Sequence, residues 1–153
     1  MTQVVDVNRK DCMSQYASSL SGEYFVAAEL LRRGYNTSIV VGNAKAVDVL
    51  VSNEANTKTV LIQVKTTVKG HNKSGKIYWM LNRKAEQSQE NLFYVLVYLR
   101  GNTDRPLYYI VHSSVVADMS DREIYSTIRV QSLMVHPEKK LEFACSTFLT
   151  IPT

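Results

Sequence analysis

The pattern of apolar and polar residues begins with a helical period. Between about Ser14 and Arg33, apolar residues recur at intervals of three and four positions: Tyr16, Leu20, Tyr24, Ala27 and Leu31. This spacing is typical of one face of an α-helix. Gly34 follows the stretch, and a glycine can adopt the left-handed conformation that ends many helices. The pattern therefore predicts a helix from about Ser14 to Arg33 that buries this face.

Segments rich in β-branched and apolar residues follow, separated by polar turn residues. They predict strands at Asn36–Val41, Ala46–Ser52, Thr59–Thr67, Lys76–Leu81, Leu92–Arg100, Leu107–His112 and Leu141–Leu149. The polar segment between the second and third strands predicts a hairpin that places Asp48 directly opposite Gln63.

The order of the predicted elements indicates the fold class. Two further helices are expected: a polar one over Arg83–Asn91, and one around Asp121–Ile128 that begins at a Ser-x-x-Glu capping box. A helix, then several strands, then mixed elements indicate an α/β domain, more narrowly an α+β fold with a central mixed β-sheet flanked by helices. A length of 153 residues fits a single domain over residues 1–153.

Several classes of protein are disfavoured by motifs that the sequence lacks. Its apolar runs are far shorter than the ~20 residues of a membrane span, and its first residues lack the apolar stretch of a secretory signal. We therefore expect a cytoplasmic protein with no membrane contact. Cys12 and Cys145 form no CxxC motif, so no zinc site is expected. The loop Gly70–Lys76 partly matches a P-loop, but Ile77 stands where Ser or Thr would bind Mg²⁺, so no nucleotide cofactor is expected.

The positive charge is concentrated in one segment. The chain has 18 Lys and Arg against 14 Asp and Glu, a formal net charge of +4. Residues 55–85 contain seven of the basic residues and no acidic one, so the rest of the chain is net acidic. The segment is either a solvated loop or a surface for a polyanion such as DNA. The candidate phosphate contacts are Lys45, Lys69, His71, Lys73, Lys76, Arg83 and Lys84. Of Tyr78 and Trp79, we expect one to pack into the core and the other to be available for stacking on bases.

Polar residues interrupt the apolar strands. On the third strand, Gln63 and Lys65 occupy the side opposite the valine and isoleucine residues that would face the helix. Asp48 lies between two valines, and Glu23 lies at the edge of the helix's apolar face, where a carboxylate needs a partner. Mg²⁺ accepts carboxylate and amide oxygens, and a lysine beside them can orient water and offset phosphate charge. The alternative is a structural Asp48–Lys65 ion pair with Gln63 as its hydrogen-bond partner.

Two stretches resemble a known nuclease family. AVDVLV followed by LIQVKTT resembles the Asp…(Glu/Gln)-x-Lys signature of the PD-(D/E)XK nuclease superfamily, which has the restriction-endonuclease-like fold. GEYFVAAELLRRGYNTSIVV resembles the helix and strand that precede this signature in archaeal Holliday-junction resolvases and Mrr-like restriction enzymes. The resemblance covers about residues 14–67. Two positions depart from it: Val47 replaces the usual proline, and Gln63 replaces the usual second acid, as in the Mrr-like branch.

The resemblance implies a site and a reaction. It makes Asp48 the central metal ligand, completed by Gln63 and Glu23, and Lys65 the catalytic lysine. The expected activity is Mg²⁺-dependent hydrolysis of DNA by an endonuclease, with Mn²⁺ as the alternative metal and RNA as the alternative substrate. A homodimer is expected, because two cuts need two symmetry-related sites. The alternative function is a catalytically degenerate nuclease fold that binds nucleic acid or a protein partner.

Overall fold

The chain forms two helices and seven strands in the part that the structure describes. In this computed structural model, the described residues are 13–41, 47–68, 77–80, 88–101, 103–122 and 127–129. In chain order, the elements are α1 (Gln15–Leu31), β1 (Asn36–Ile39), β2 (Val49–Ser52), β3 (Thr59–Thr67), β4 (Tyr78–Met80), β5 (Leu92–Tyr98), β6 (Leu107–His112), α2 (Ser113–Arg122) and β7 (Thr127–Arg129).

Five of the strands form one mixed sheet in the order β1-β2-β3-β5-β6. β3 and β5 run parallel, and the other neighbouring pairs are antiparallel. β4 and β7 pair antiparallel in a second sheet of two strands. A mixed sheet with helices packed on it confirms the predicted α+β class. β3 and β6 have their predicted limits, whereas β1, β2, β4 and β5 are shorter than predicted.

Coverage of the sheet on both faces explains the uniformly apolar sequence of β5. Its residues from Leu92 to Val97 are all buried, as is usual for a strand with a parallel neighbour. On one face, Val26 and Leu30 of α1 pack with valines and isoleucine of β2, β3 and β5. On the other face, Trp79 of β4 and Val116 of α2 pack with leucine, tyrosine and valine side chains of β5 and β6. The sheet is therefore a middle layer between two apolar cores.

Trp79 anchors the second of these cores. Its indole N–H donates to the carbonyl oxygen of Val97 at 2.9 Å, and its ring meets that of Tyr109 edge to face, with centroids 5.6 Å apart. Tyr78 is half-buried. The prediction that one of the two adjacent aromatic residues packs into the core is confirmed, and base stacking by Tyr78 stays a prediction.

The buried face of α1 differs from the predicted one. Ser14 caps the helix as its hydroxyl oxygen accepts the N–H of Ala17 at 3.1 Å, so the position of the helix was predicted correctly. The buried residues are Ser18, Gly22, Val26, Ala27 and Leu30. Of the predicted core face, Tyr16, Tyr24 and Leu31 are exposed. The predicted face was therefore wrong for three of its five residues.

A close approach between α1 and β3 selects small residues for the buried face. A Cβ atom added to Gly22 would lie 1.9 Å from Oγ1 of Thr66. A tyrosine on this face would hold the helix away from the sheet, so the helix turns its aromatic residues outward. Intervals of three and four residues fit both faces of α1, and the spacing alone does not distinguish between them.

The second helix lies earlier in the chain than predicted. α2 begins at Ser113, directly after β6, and ends at Arg122, close to where the helix predicted around Asp121–Ile128 would begin. Residues 127–129 form β7 and pair with β4. The prediction of a helix at Asp121–Ile128 was therefore wrong at Thr127 and Ile128, and its residues 123–126 lie outside the described residues.

Long-range contacts determine where α2 begins. The N–H of Ser114 donates to Nδ1 of His112 at 3.2 Å, which satisfies one of the free donors of the first turn. The hydroxyl of Ser113 donates to the carbonyl oxygen of Gln89 at 2.7 Å and accepts the N–H of Gln89 at 2.9 Å. Val116 is fully buried in the second core. Packing thus outweighs the local capping signal, as it often does for helices.

Two predicted elements fall partly or wholly outside the described residues. The strand Leu141–Leu149 lies outside them, and of the helix Arg83–Asn91 only residues 88–91 are described, which are not helical. Within the described residues, no helix is long and apolar enough to cross a membrane.

The contact between Gly22 and Thr66 gives a prediction for stability. Replacing a mid-helix glycine by alanine ordinarily stabilises a helix by about 1 kcal/mol. For Gly22→Ala we expect the opposite, a loss of roughly 1–3 kcal/mol, because the added methyl overlaps Thr66. Urea unfolding followed by the fluorescence of Trp79 measures the change. The exposed Ser19→Ala on the same helix is the control, and a Gly22→Ala protein as stable as that control would contradict the prediction.

Candidate active site

Asp48 lies just before β2, where the hairpin ladder is irregular. Val49 pairs with Ile62, as the predicted hairpin requires, and the N–H of Asp48 also donates to the carbonyl oxygen of Ile62 at 2.8 Å. Two residues of one strand thus face one residue of the other, as at a β-bulge. Oδ2 of Asp48 accepts the N–H of Val64 at 2.6 Å. The hairpin register is confirmed, but Asp48 does not pair with Gln63, because the bulge turns its side chain onto the Val64 amide.

Gln63 and Lys65 lie on either side of that amide in β3. Strand alternation puts both on the face opposite Val64, and both are half-buried. Oε1 of Gln63 is buried and has no hydrogen-bond partner within the part of the chain that the structure describes. Leaving a buried acceptor unpaired costs about 1–3 kcal/mol, so this oxygen is placed at a free-energy cost that a ligand would offset.

The structural alternative of an Asp48–Lys65 ion pair is not formed. Among the described residues, the ion pairs join Glu29 to Arg32 and Arg33. Lys65 is close enough to Asp48 for its charge to lower the pKa of that carboxyl. Lys65 therefore lies near the carboxylate of Asp48 without forming an ion pair with it.

Glu23 brings a second carboxylate towards Asp48 from α1. It directly follows Gly22, the residue at which α1 touches β3, and it is half-buried. Burial raises the pKa of Glu23 above its usual value, and the charge of Asp48 raises it further. Asp48 is therefore close enough to interact electrostatically with Glu23 on one side and with Lys65 on the other, and a shared site that also includes Gln63 stays a prediction.

Burial also dominates the electrostatics of Asp48. It raises the pKa of this carboxyl, while the hydrogen bond from the Val64 N–H and the charge of Lys65 act in the opposite direction. Two desolvated carboxylates that repel each other favour binding of a proton or a cation. The two carboxylates therefore give this region an excess of negative charge, which a divalent cation would offset.

The side chains provide two carboxylates and one amide oxygen as donors. Across the described ranges, no group of three or more His, Cys, Asp and Glu side chains is placed to hold a metal ion, so a metal bound here would need the amide oxygen of Gln63 as a third protein ligand. Mg²⁺ takes oxygen ligands and usually keeps several waters. The unpartnered Oε1 of Gln63 fits this role. The donor set thus suits a hard divalent cation and does not suit a soft one.

The structure does not test the predicted phosphate contacts. Lys45, Lys69, His71, Lys73, Lys76, Arg83 and Lys84 are all outside the described residues.

Sequence reasoning missed Gly22 and Thr66, whose contact sets the position of Glu23. The available signal was a glycine in the middle of a predicted helix, where glycine is unfavourable unless a close approach requires it.

Comparison with known proteins adds one finding about the fold. No protein-family model and no curated protein matches the chain. Among solved structures, the chain is similar to the bacterial homing endonuclease I-Ssp6803I, with a TM-score of 0.55 and 16% sequence identity over 84% of this chain and 80% of that one. At this level of identity the similarity concerns the fold. The chain therefore shares its mixed α+β architecture with an endonuclease.

The raised pKa values give a pH-dependent prediction. The folded protein holds the protons of Asp48 and Glu23 to higher pH than the unfolded chain does, so the free energy of unfolding decreases as the pH rises above about 4. Asp48→Asn removes one of these charges and keeps an oxygen that can accept the Val64 N–H. We expect this variant to have a higher Tm than the wild type at pH 7, with the difference vanishing below pH 4.

Thermal unfolding between pH 3 and pH 8 without divalent metal measures this effect. Glu54→Gln is the control, since Glu54 is exposed in the turn between β2 and β3. A lower Tm for Asp48→Asn at pH 7, or a difference that does not depend on pH, would show that the Asp48 charge stabilises the fold.

Proposed function

We propose that this protein is an endonuclease that hydrolyses phosphodiester bonds in DNA with Mg²⁺, and that it belongs to the PD-(D/E)XK superfamily. The observation that carries the proposal is the buried, unpartnered Oε1 of Gln63 next to the amide that orients the Asp48 carboxylate. A purely structural polar cluster would pair these groups with each other, whereas a metal site leaves oxygen atoms available.

Each of the four residues has a distinct role in this proposal. Asp48, Gln63 and Glu23 hold Mg²⁺ or Mn²⁺, which lowers the pKa of bound water and offsets charge on the phosphate when it is present. Lys65 has no ion-pair partner in the described part of the chain, so its ammonium group is available to the substrate. It orients the attacking water and stabilises the negative charge that develops on the phosphate oxygens.

The fold and the substrate class support each other. A solved structure with a similar fold is an endonuclease, and hydrolysis of a phosphodiester is the reaction that carboxylates, a divalent cation and a lysine serve. We also propose that the protein acts in the cytoplasm as a homodimer, because cutting both strands of a duplex needs two sites related by symmetry. Sedimentation of the full chain tests the dimer.

A second function is a nuclease fold that binds nucleic acid without cleaving it. The observation that favours it is the small negative charge of the donor set, since Gln63 is neutral and, in the described ranges, Asp48 and Glu23 are the two carboxylates that interact. Fewer charged ligands weaken metal binding. A cleavage assay distinguishes the two functions.

The first test is nicking of supercoiled plasmid DNA by the full chain with Mg²⁺ or Mn²⁺. We expect Asp48→Asn and Lys65→Met each to lower the rate by roughly 100-fold or more, the usual contribution of a group acting in the transition state. Lys58→Met is the matched control, because Lys58 is exposed at the start of the hairpin strand and outside the site. Metal-independent nicking, or full activity of both site variants, would contradict the nuclease function.

The second test separates a metal ligand from a structural glutamine. Gln63→Leu removes the unpartnered oxygen, so we expect the free energy of unfolding without metal to change by less than about 1 kcal/mol. We expect Mn²⁺ binding, measured by calorimetry, to be weakened at least tenfold, and Gln63→Glu to strengthen it. A strongly destabilised Gln63→Leu protein with unchanged Mn²⁺ affinity would show that Gln63 supports the fold alone.

A further inference from the structure

Arginine side chains converge on a cleft at the carboxyl end of α1. The cleft has a volume of about 580 Å³ and lies between this end of the helix and the turn that joins β5 to β6. The charged residues among its described lining are Arg32, Arg33, Arg100, Arg105 and Glu29. Four cations thus surround one carboxylate, although the sequence outside residues 55–85 is net acidic.

The two arginines on the helix are held by the single carboxylate. Glu29 accepts from Arg32 at 3.0 Å and also pairs with Arg33, and Arg33 donates to the carbonyl oxygen of Glu29 at 2.9 Å. One carboxylate offsets one of these two charges. The helix side of the cleft therefore keeps a net positive charge in a fixed position.

The two arginines in the turn are not neutralised. Arg100 donates through Nε and Nη2 to the carbonyl oxygen of Arg105 at 3.2 Å and 2.9 Å, which fixes its guanidinium across the turn. Neither residue has an ion-pair partner among the residues that the structure describes. Both are exposed. The turn side of the cleft therefore presents two guanidinium groups to solvent.

The rest of the lining suits a phosphate group. Burial raises the pKa of Tyr108 to about 12, so its hydroxyl stays protonated and can donate a hydrogen bond. Phe25, Pro106 and Leu107 form apolar walls, which strengthen electrostatic attraction by excluding water. Guanidinium groups match the geometry of phosphate oxygens.

We propose that this arginine cleft binds the phosphodiester backbone of a nucleic acid. The proposal rests on the proposed function, since the nucleic acid is the one that the site would cut. Arg32 follows Glu23 by nine positions in the chain, about two and a half helical turns, so the cleft and Glu23 lie on different sides of α1.

The test is the salt dependence of DNA binding by the full chain. Fluorescence anisotropy with a labelled duplex, in EDTA to prevent cleavage, gives the affinity at a series of KCl concentrations. Each phosphate contact contributes about 0.9 to the slope of log affinity against log salt. We expect Arg100→Gln/Arg105→Gln to reduce that slope by about two, and Arg105→Gln alone, which changes one exposed side chain, by about one.

Two controls make the slope specific. Lys58→Gln removes one charge before β3, at the opposite end of the sheet from the turn after β5, and should leave the slope unchanged. Arg100→Lys/Arg105→Lys keeps the charge and should keep the slope. Melting followed by Trp79 fluorescence checks that each variant is folded, and Arg105→Gln alone decides the matter if the double variant unfolds.

The outcomes separate the cleft from the nuclease function. Wild-type binding with an unchanged slope in the arginine variants overturns the cleft proposal alone. No DNA binding by the wild type overturns both the cleft and the DNA substrate. Calorimetry with inorganic phosphate tests whether the cleft binds a free phosphate ion instead of nucleic acid. If the double variant loses phosphate binding while the slope for DNA stays unchanged, the cleft holds a free anion and the proposal is overturned. Competition by an acidic peptide but not by DNA would indicate a protein partner and would also overturn the proposal.

Discussion

The N–H of Val64 donates to the carboxylate of Asp48 instead of to a strand carbonyl. This bond lies at the bulge before β2, and it positions a charged side chain against the middle of β3. Gln63 and Lys65 flank the same amide, so one backbone group orients the central carboxylate with respect to both. The arrangement of the candidate site therefore depends on this hydrogen bond.

The close contact of α1 with β3 supplies the rest of the site. Gly22 allows the helix to approach Thr66, and the next residue, Glu23, is thereby brought near Asp48. The approach has an electrostatic cost, because burial raises the pKa of both carboxyls and the charge of Asp48 raises that of Glu23 further. In the proposed function these groups would hold a cation, and the packing of the two cores would compensate for the free-energy cost of burying them.

α1 connects the two sites that we propose. Its middle carries Glu23, and its carboxyl end carries the ion pairs of Glu29 that fix Arg32 and Arg33. A single helix keeps a constant distance between them. In the sequence these arginines serve as helix-terminal cations, and their second role emerges only with Arg100 and Arg105 beside them.

The sequence by itself determined the elements whose signals are local and periodic. Alternation defined β3, and the polar turn defined the register of its hairpin with β2. Glu23, Asp48, Gln63 and Lys65 stood out in the sequence as polar residues at apolar positions, because burying a polar group costs free energy unless the group has a partner. Tertiary structure decided which face of α1 is buried, where α2 begins and how Asp48 bonds to Val64. These features depend on contacts between residues far apart in the chain, such as Gly22 with Thr66 and Ser113 with Gln89, and a local pattern carries no information about such distances.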